Sequence, residues 1–191
     1  MPAPNPAALD FLLTRRSTSA KTLGLPVPDD AALDTILTAA ARSPDHGKLE
    51  PWRFILLDRA ALQAMSIKVT ERATVLQIDP DKAVKSREEY ASSHLAVIVV
   101  SSPVASDKIP DSEQLFSAGA VCLSLLNAAL ASGWGANWLS GWASRDPEIL
   151  TWLGVTSSES IAGIIHLGTE SSTPPDRPRP DLAAITTRFH P

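Results

Sequence analysis

The stretch Leu95-Ala-Val-Ile-Val-Val-Ser101 has no alternation of apolar and polar residues, so as a strand it has no face to turn toward water. A chain built around it must cover a sheet on both sides. Arg53-Phe-Ile-Leu-Leu57 and Ile161-Ala-Gly-Ile-Ile-His-Leu167 are near-continuous apolar runs of the same kind, and Ala136-Asn-Trp-Leu139 is a shorter fourth. Leu182 to Phe189 reads as a terminal strand. Amphipathic or polar segments separate these runs, and the expected architecture is α+β, a small mixed sheet with helices on both faces.

The helices are bounded by recognisable signals. Ala7 to Thr14 places Leu9, Leu12 and Leu13 on one face and runs out into Arg15-Arg-Ser17. Pro28-Asp-Asp30 starts a helix that must stop by Ser43, because Pro44 disfavours the helical conformation of the residue before it. Residues 59–77, 81–92 and 112–132 complete the set. Leu115 to Gly133 approaches the length of a bilayer span, but it carries Ser117, Ser124, Asn127 and Ser132 and lacks a basic flank. Its apolar residues run around the whole helix, which fits a buried central helix. Ser171-Ser-Thr-Pro-Pro-Asp-Arg-Pro-Arg-Pro180 must cross the surface, since so many prolines bar both helix and central strand.

A chain of 191 residues fits one domain, or one subunit whose core a partner completes. Its net charge of -4 gives no electrostatic case for nucleic acid or an anionic membrane, so any phosphate it binds must be held by a local arginine cluster. Cys122, the single cysteine, lies in an apolar run and reads as a buried, inert thiol. Met1-Pro-Ala-Pro-Asn-Pro6 has neither a basic region nor an apolar one, so no signal peptide is expected and the inferred location is cytoplasmic.

Self-sufficient catalytic constellations are missing. His46, His94, His166 and His190 are too scattered for a metal motif, no serine sits in a nucleophile elbow, and Gly133-Trp-Gly135 lacks the spacing of a phosphate loop. Yet the connector Ser43-Pro-Asp-His-Gly-Lys-Leu-Glu-Pro-Trp-Arg-Phe54 crowds ligand-competent side chains between a helix and a strand. A ligand-like connector without an acid, base or nucleophile of its own points to a cofactor that carries the chemistry.

Arg15-Arg-Ser17, the Arg42 to Phe54 block, Ala128-Ala-Leu-Ala-Ser-Gly133, Trp138-Leu-Ser-Gly141 and Ile165-His-Leu-Gly168 follow one another in an order that resembles the nitroreductase family, most closely its compact YdjA-like subgroup. The resemblance covers nearly the whole chain. It implies a single three-layer domain over residues 1–191, completed by dimerisation: an FMN-dependent NAD(P)H oxidoreductase, with two flavins in the interface of a homodimer. NADH or NADPH would be co-substrate. Hydride would pass in ping-pong fashion to a nitroaromatic, a quinone or a similar small acceptor, in a pocket expected from the 59–92 region.

Residue by residue, the resemblance assigns Arg15, Arg16 and Ser17 to the FMN phosphate. On local sequence alone the two arginines serve equally well as charges complementing a helix dipole. Arg42 and His46 match positions that reach the flavin, from the other subunit. Trp138, Leu139 and Ser140 match the segment along the isoalloxazine, and as plain sequence they also fit an edge strand with a buried indole. Arg177 and Arg179 lie where longer relatives carry basic phosphate contacts, here interleaved with Pro178 and Pro180. Two rivals stay open: a flavin-free or redox-silent dimeric sensor on the same fold, and a flavoenzyme with another reaction, such as dehalogenation.

Overall fold

A computed structural model describes residues 3–191. Helix α1 spans Pro6–Thr14, followed by the two-residue strand β1 (Leu23–Gly24) and α2 (Asp30–Ala40). Strand β2 (Trp52–Leu57) leads to the paired helices α3 (Arg59–Val75) and α4 (Pro80–Ala91), then to β3 (Leu95–Ser101) and the long α5 (Asp111–Ala131). The chain continues through β4 (Gly135–Leu139), α6 (Pro147–Trp152), β5 (Ser160–Glu170) and the short α7 (Leu182–Ile185). Side-chain oxygens of Asn5, Asp29, Asp58, Asp79, Asp146 and Asp181 accept first-turn N–H groups, so α1 to α4, α6 and α7 start where the sequence offers a cap.

Strand β5 is the hub of the sheet, pairing with β1, β3 and β4, while β2 pairs with β3 at the outer edge. Every residue of β3 is buried. Val97 and Val99 join Ile165 and Leu167 on one face, under α2 and α5. Ala96, Ile98 and Val100 join Ile164 on the other, against Leu62, Met65 and Val69 of α3 and Ile149 of α6. The apolar run of β3 is therefore the middle layer of three.

Three expectations are corrected. The sheet is antiparallel in all its described pairings, not mixed: a continuous apolar run reports cover on both faces and says nothing about strand direction. Strand β2 is only partly covered, with Leu56 exposed, because it is an edge strand. Leu182 to Phe189 is not a strand in this chain. A strand exists only through a ladder, no strand of this chain pairs with the segment, and its first residues close into α7 under the Asp181 cap.

Helix α5 is long and apolar enough to cross a membrane by length and composition, and it packs against α2 and the sheet. Ala118, Val121, Cys122, Leu125, Leu126 and Ala129 form its buried face. Burial is not all round, however: Leu115, Phe116 and Leu123 stay exposed. Cys122 is fully buried as expected, and burial pushes its thiol up to about 12, so it is no nucleophile at neutral pH.

Buried and part-buried ionisable groups fasten neighbouring elements together. Arg72 grips Asp146, the cap of α6, through two hydrogen bonds of 3.0 and 2.9 Å, and Arg53 grips Glu159 through two of 2.7 and 2.8 Å. His166 lies in β5 with its Nδ1 2.8 Å from the Ser93 hydroxyl, and burial pulls its pKa down to about 4 from 6.5. Between those two values the unfolded chain binds a proton that the folded chain refuses. Stability should therefore fall as pH drops from about 6.5 to about 4, by on the order of 3 kcal/mol in full. The pairs formed by Asp146 and Glu159, whose carboxyls those arginines hold low, add their loss only below the ordinary carboxylate values. Urea midpoints of wild type and His166→Gln at pH 7 and pH 5 check this: the wild type should lose stability between them and the variant should not.

Candidate functional site

The turn after α1 gathers cations. Arg15 leaves the helix with φ -53 and ψ 143, and its Nη2 donates to the Ser17 hydroxyl at 2.9 Å. Arg15, Arg16, Ser17, Arg177 and Arg179 line one cavity of about 160 Å³. A second, of about 250 Å³, continues past Phe11, Thr14, Leu130 and Glu170. The prolines of residues 171–180 thus turn the chain back across the end of α1, and Arg177 and Arg179 reach the same space as Arg15.

Cations outnumber anions in this space. Burial first, and then the like charges of Arg179 and Arg16, lower the Arg15 pKa without neutralising a guanidinium. Arg15 Nε is buried with no hydrogen-bond partner, one of two such side-chain atoms among the described residues. Asp176 is the local counter-ion. Its Oδ1 lies 2.7 Å from Arg16 and 3.7 Å from Arg179 and accepts the Arg177 N–H at 2.8 Å. That backbone bond foremost, with the two guanidinia behind it, holds its carboxyl below the usual range. Nothing pairs with Arg15 Nε, and a buried donor without an acceptor among three like charges suits a multivalent oxyanion.

Strand β4 carries Trp138 and Leu139, and Ser140 follows it at the surface. The Trp138 indole lies over Gly163 of β5, where an added Cβ would strike the ring and stand 2.9 Å from Cys122 Sγ. Trp138 is 38% exposed, so one side of it is open for a planar ligand. The turn and the strand are joined: the Thr18 N–H donates to the Ala136 carbonyl at 3.1 Å.

Arg42 and His46 are not brought to this space. Both are exposed, and neither lines the cavity of Arg15. His46 Nδ1 instead lies 2.9 Å from Glu113 Oε2, at the start of α5. The connector around it is held tightly. Gly47, Lys48 and Glu50 adopt φ of 80, 55 and 48, and Asp45 accepts the Glu50 N–H. Gly47 sits directly on the Ile109 side chain, so neither its φ nor its contact admits a Cβ. Ser43 Oγ, 2.8 Å from Ser124 Oγ, fastens the start of the connector to α5.

The nitroreductase family model matches residues 12–169, from the end of α1 to the end of β5. The chain belongs to the nitroreductase family. It is 33% identical over 163 residues to the candidate NAD(P)H nitroreductase YdjA of Escherichia coli strain K12, covering 85% of this chain and 87% of that one. A candidate NAD(P)H nitroreductase of Haemophilus influenzae is 30% identical over 164 residues, 85% of this chain and 88% of its own. Among solved structures, a nitroreductase-like family protein from Bacillus cereus superposes with a TM-score of 0.80 at 20% identity, covering 99% of this chain and 98% of that one. A Bacteroides fragilis nitroreductase with bound FMN gives 0.72 at 21% identity, covering 95% and 98%. These two likenesses bear on the fold.

Sequence reasoning missed three polar residues of this candidate site. Thr18 and Asn137 join the turn to β4, Glu170 reaches the Thr18 hydroxyl, and none belongs to a motif. A fourth, Asn127, carries the other unpartnered buried atom and lies one helical turn before Leu130 of the cavity wall. Its amide in the apolar C-terminal half of the helix was the available signal. Gly163→Ala should cost about 1–3 kcal/mol, since an overpacked core site must displace Trp138. Urea unfolding beside Trp138→Phe checks this, because the penalty should shrink once the indole is smaller.

Proposed function

We propose that the chain is an FMN-dependent NAD(P)H oxidoreductase of the nitroreductase type, one domain per subunit of a homodimer, acting by ping-pong turnover on nitroaromatic, quinone or similar small acceptors. The reading rests above all on the buried, unpartnered Arg15 Nε at the focus of Arg16, Arg177 and Arg179. A phosphate monoester brings up to two negative charges and several acceptor oxygens, which matches that set of donors. The identity to the YdjA proteins, named for NAD(P)H nitroreductase activity, and the FMN bound to the Bacteroides neighbour supply the class of cofactor and reductant.

When bound, FMN supplies two-electron chemistry, accepting hydride from a reduced nicotinamide and returning it to an acceptor. The chain's own part is binding and orientation. Arg15, Arg16 and Ser17 hold the phosphate, with Arg177 and Arg179 behind them. Trp138, Leu139 and Ser140 offer a flat indole and backbone donors to the ring, where fixed dipoles stabilise developing negative charge. None of these side chains is a general acid, and protons come from solvent.

The uncovered apolar residues support a second copy. Leu9, Leu12 and Leu13 of α1, Phe116 and Leu123 of α5, and Ile185 and Phe189 of the C-terminal segment are all exposed. Phe116 is 74% exposed and Phe189 86%. His46 pairs with Glu113, one turn of α5 before Phe116, so association through this part of α5 would carry the connector with Arg42 and His46 toward the partner. Phe116→Asp should raise the dimer dissociation constant by about 10- to 100-fold, as the loss of a buried aromatic anchor does. Sedimentation at micromolar concentration checks it, and a wild-type monomer there would contradict the dimer.

Arg15→Ala should weaken FMN binding by one to two decades, from about 1.5–3 kcal/mol for a charge-assisted hydrogen bond, and Ser17→Ala by less. Asp176→Asn should tighten it up to about five-fold, because the arginines it releases are then shared with no other anion. Equilibrium titration of the flavin-stripped dimers tests the site. Equal FMN affinity in wild type and Arg15→Ala would remove the turn from it.

A further inference from the structure

Thr18 directly follows the phosphate turn and is 1% exposed, yet all of its polar groups are engaged. Its N–H donates to the Ala136 carbonyl at 3.1 Å, its carbonyl accepts from Asn137 Nδ2 at 2.6 Å, and its hydroxyl donates to the Glu170 carboxylate. Asn137 immediately precedes Trp138, so the path from Ser17 to the indole is two peptide links and a clasp of two hydrogen bonds. The β4–β5 register makes the third bond available. Gly135 pairs with Gly168, and a Cβ on Gly135 would stand 2.5 Å from the Glu170 and Leu23 side chains. A Cβ on Gly168 would stand 2.7 Å from the Gly24 carbonyl oxygen. Gly135 leaves the space that Glu170 occupies on its way to Thr18, and Gly168 lets β1 approach β5 closely.

We propose that Thr18 and Asn137 are positioning residues that lock the phosphate turn to the ring-bearing strand, and that this clasp makes the site selective for flavin phosphorylated at its ribityl end. The inference rests on the FMN reading given above. Two physical consequences carry it. Without the Asn137 bond the turn must be ordered at the moment of binding, and that cost subtracts from what the phosphate contributes. Without the Thr18 hydroxyl the Glu170 carboxylate, which lines the cavity with Arg15 and Arg16, is freed to oppose an incoming phosphate. Neither residue belongs to the segment Trp138 to Ser140 assigned to the ring, so the effect is expected at the phosphate end.

Riboflavin, which has the ring and ribityl chain but no phosphate, separates positioning from general support. Dissociation constants for FMN and riboflavin are measured on flavin-stripped wild type, Asn137→Ala, Thr18→Val, Thr18→Ser and Arg15→Ala. Asn137→Ala and Thr18→Val should each lose about ten-fold in FMN affinity while riboflavin changes by less than about two-fold, the scale of one hydrogen bond's net worth. Thr18→Ser keeps the hydroxyl and should keep the wild-type ratio, which guards against Thr18→Val failing to fold. Parallel weakening of both flavins, or an unchanged ratio in Asn137→Ala and Thr18→Val while Arg15→Ala abolishes it, would overturn the clasp and leave the phosphate site standing. A wild type that prefers neither flavin, or an Arg15→Ala that keeps the preference, would overturn the phosphate site and the clasp together.

Discussion

Every residue of strand β3 is buried, Ala96 to Val100 completely, and the rest of the molecule follows from covering it. Alternate residues of one strand anchor two separate cores. One is closed by α2 and α5, the other by α3, α6 and Tyr90 of α4. With about 25 cal/mol for each Å² of apolar surface removed from water, the branched side chains of β3 and β5 contribute to the stabilisation of both. β2 and β5 flank this strand. β5 runs for 11 residues and outlasts its neighbour, ending at Glu170 beside the turn that follows α1.

That overhang creates the site. The far end of β5 pairs with β1 and directs the chain into the proline-rich crossing, which returns Arg177 and Arg179 to the turn at Arg15. Bringing cations together costs free energy, and the only described anion in close contact with them is the exposed Asp176. Folding stabilises the assembly elsewhere, through the sheet and caps, and the site keeps an unpartnered donor. A surface that holds such a mismatch is preorganised for the charge it lacks.

The layers were legible in the sequence because hydrophobic period and helix caps are local. Leu95 to Ser101, the Asp-capped helices and the helix stop at Ser43 are readable from a few residues each. The direction of strand pairing was not, since an apolar run reports cover and not orientation. Leu182 to Phe189 has a strand's composition, but whether it pairs depends on an edge outside its own segment. At the site, Arg15, Arg16 and Ser17 were readable as charge and hydroxyl in one turn, and Arg177 and Arg179 only by likeness, because the crossing that returns them spans most of the chain. Thr18 and Asn137 left no trace: each bonds to a backbone carbonyl or a distant carboxylate, and such a partner has no sequence signature.

A site made from arginines, a turn and one indole has no redox chemistry of its own, so the account stands or falls on flavin. The direct measurement is the visible absorption spectrum of the protein after purification and after addition of FMN, followed anaerobically on adding NADH or NADPH. The account predicts stoichiometric flavin absorbance that bleaches with at least one nicotinamide and returns when a quinone or nitroaromatic is added. Protein that stays colourless with FMN, or bound flavin that neither nicotinamide bleaches, would contradict it and leave the fold to a redox-silent role.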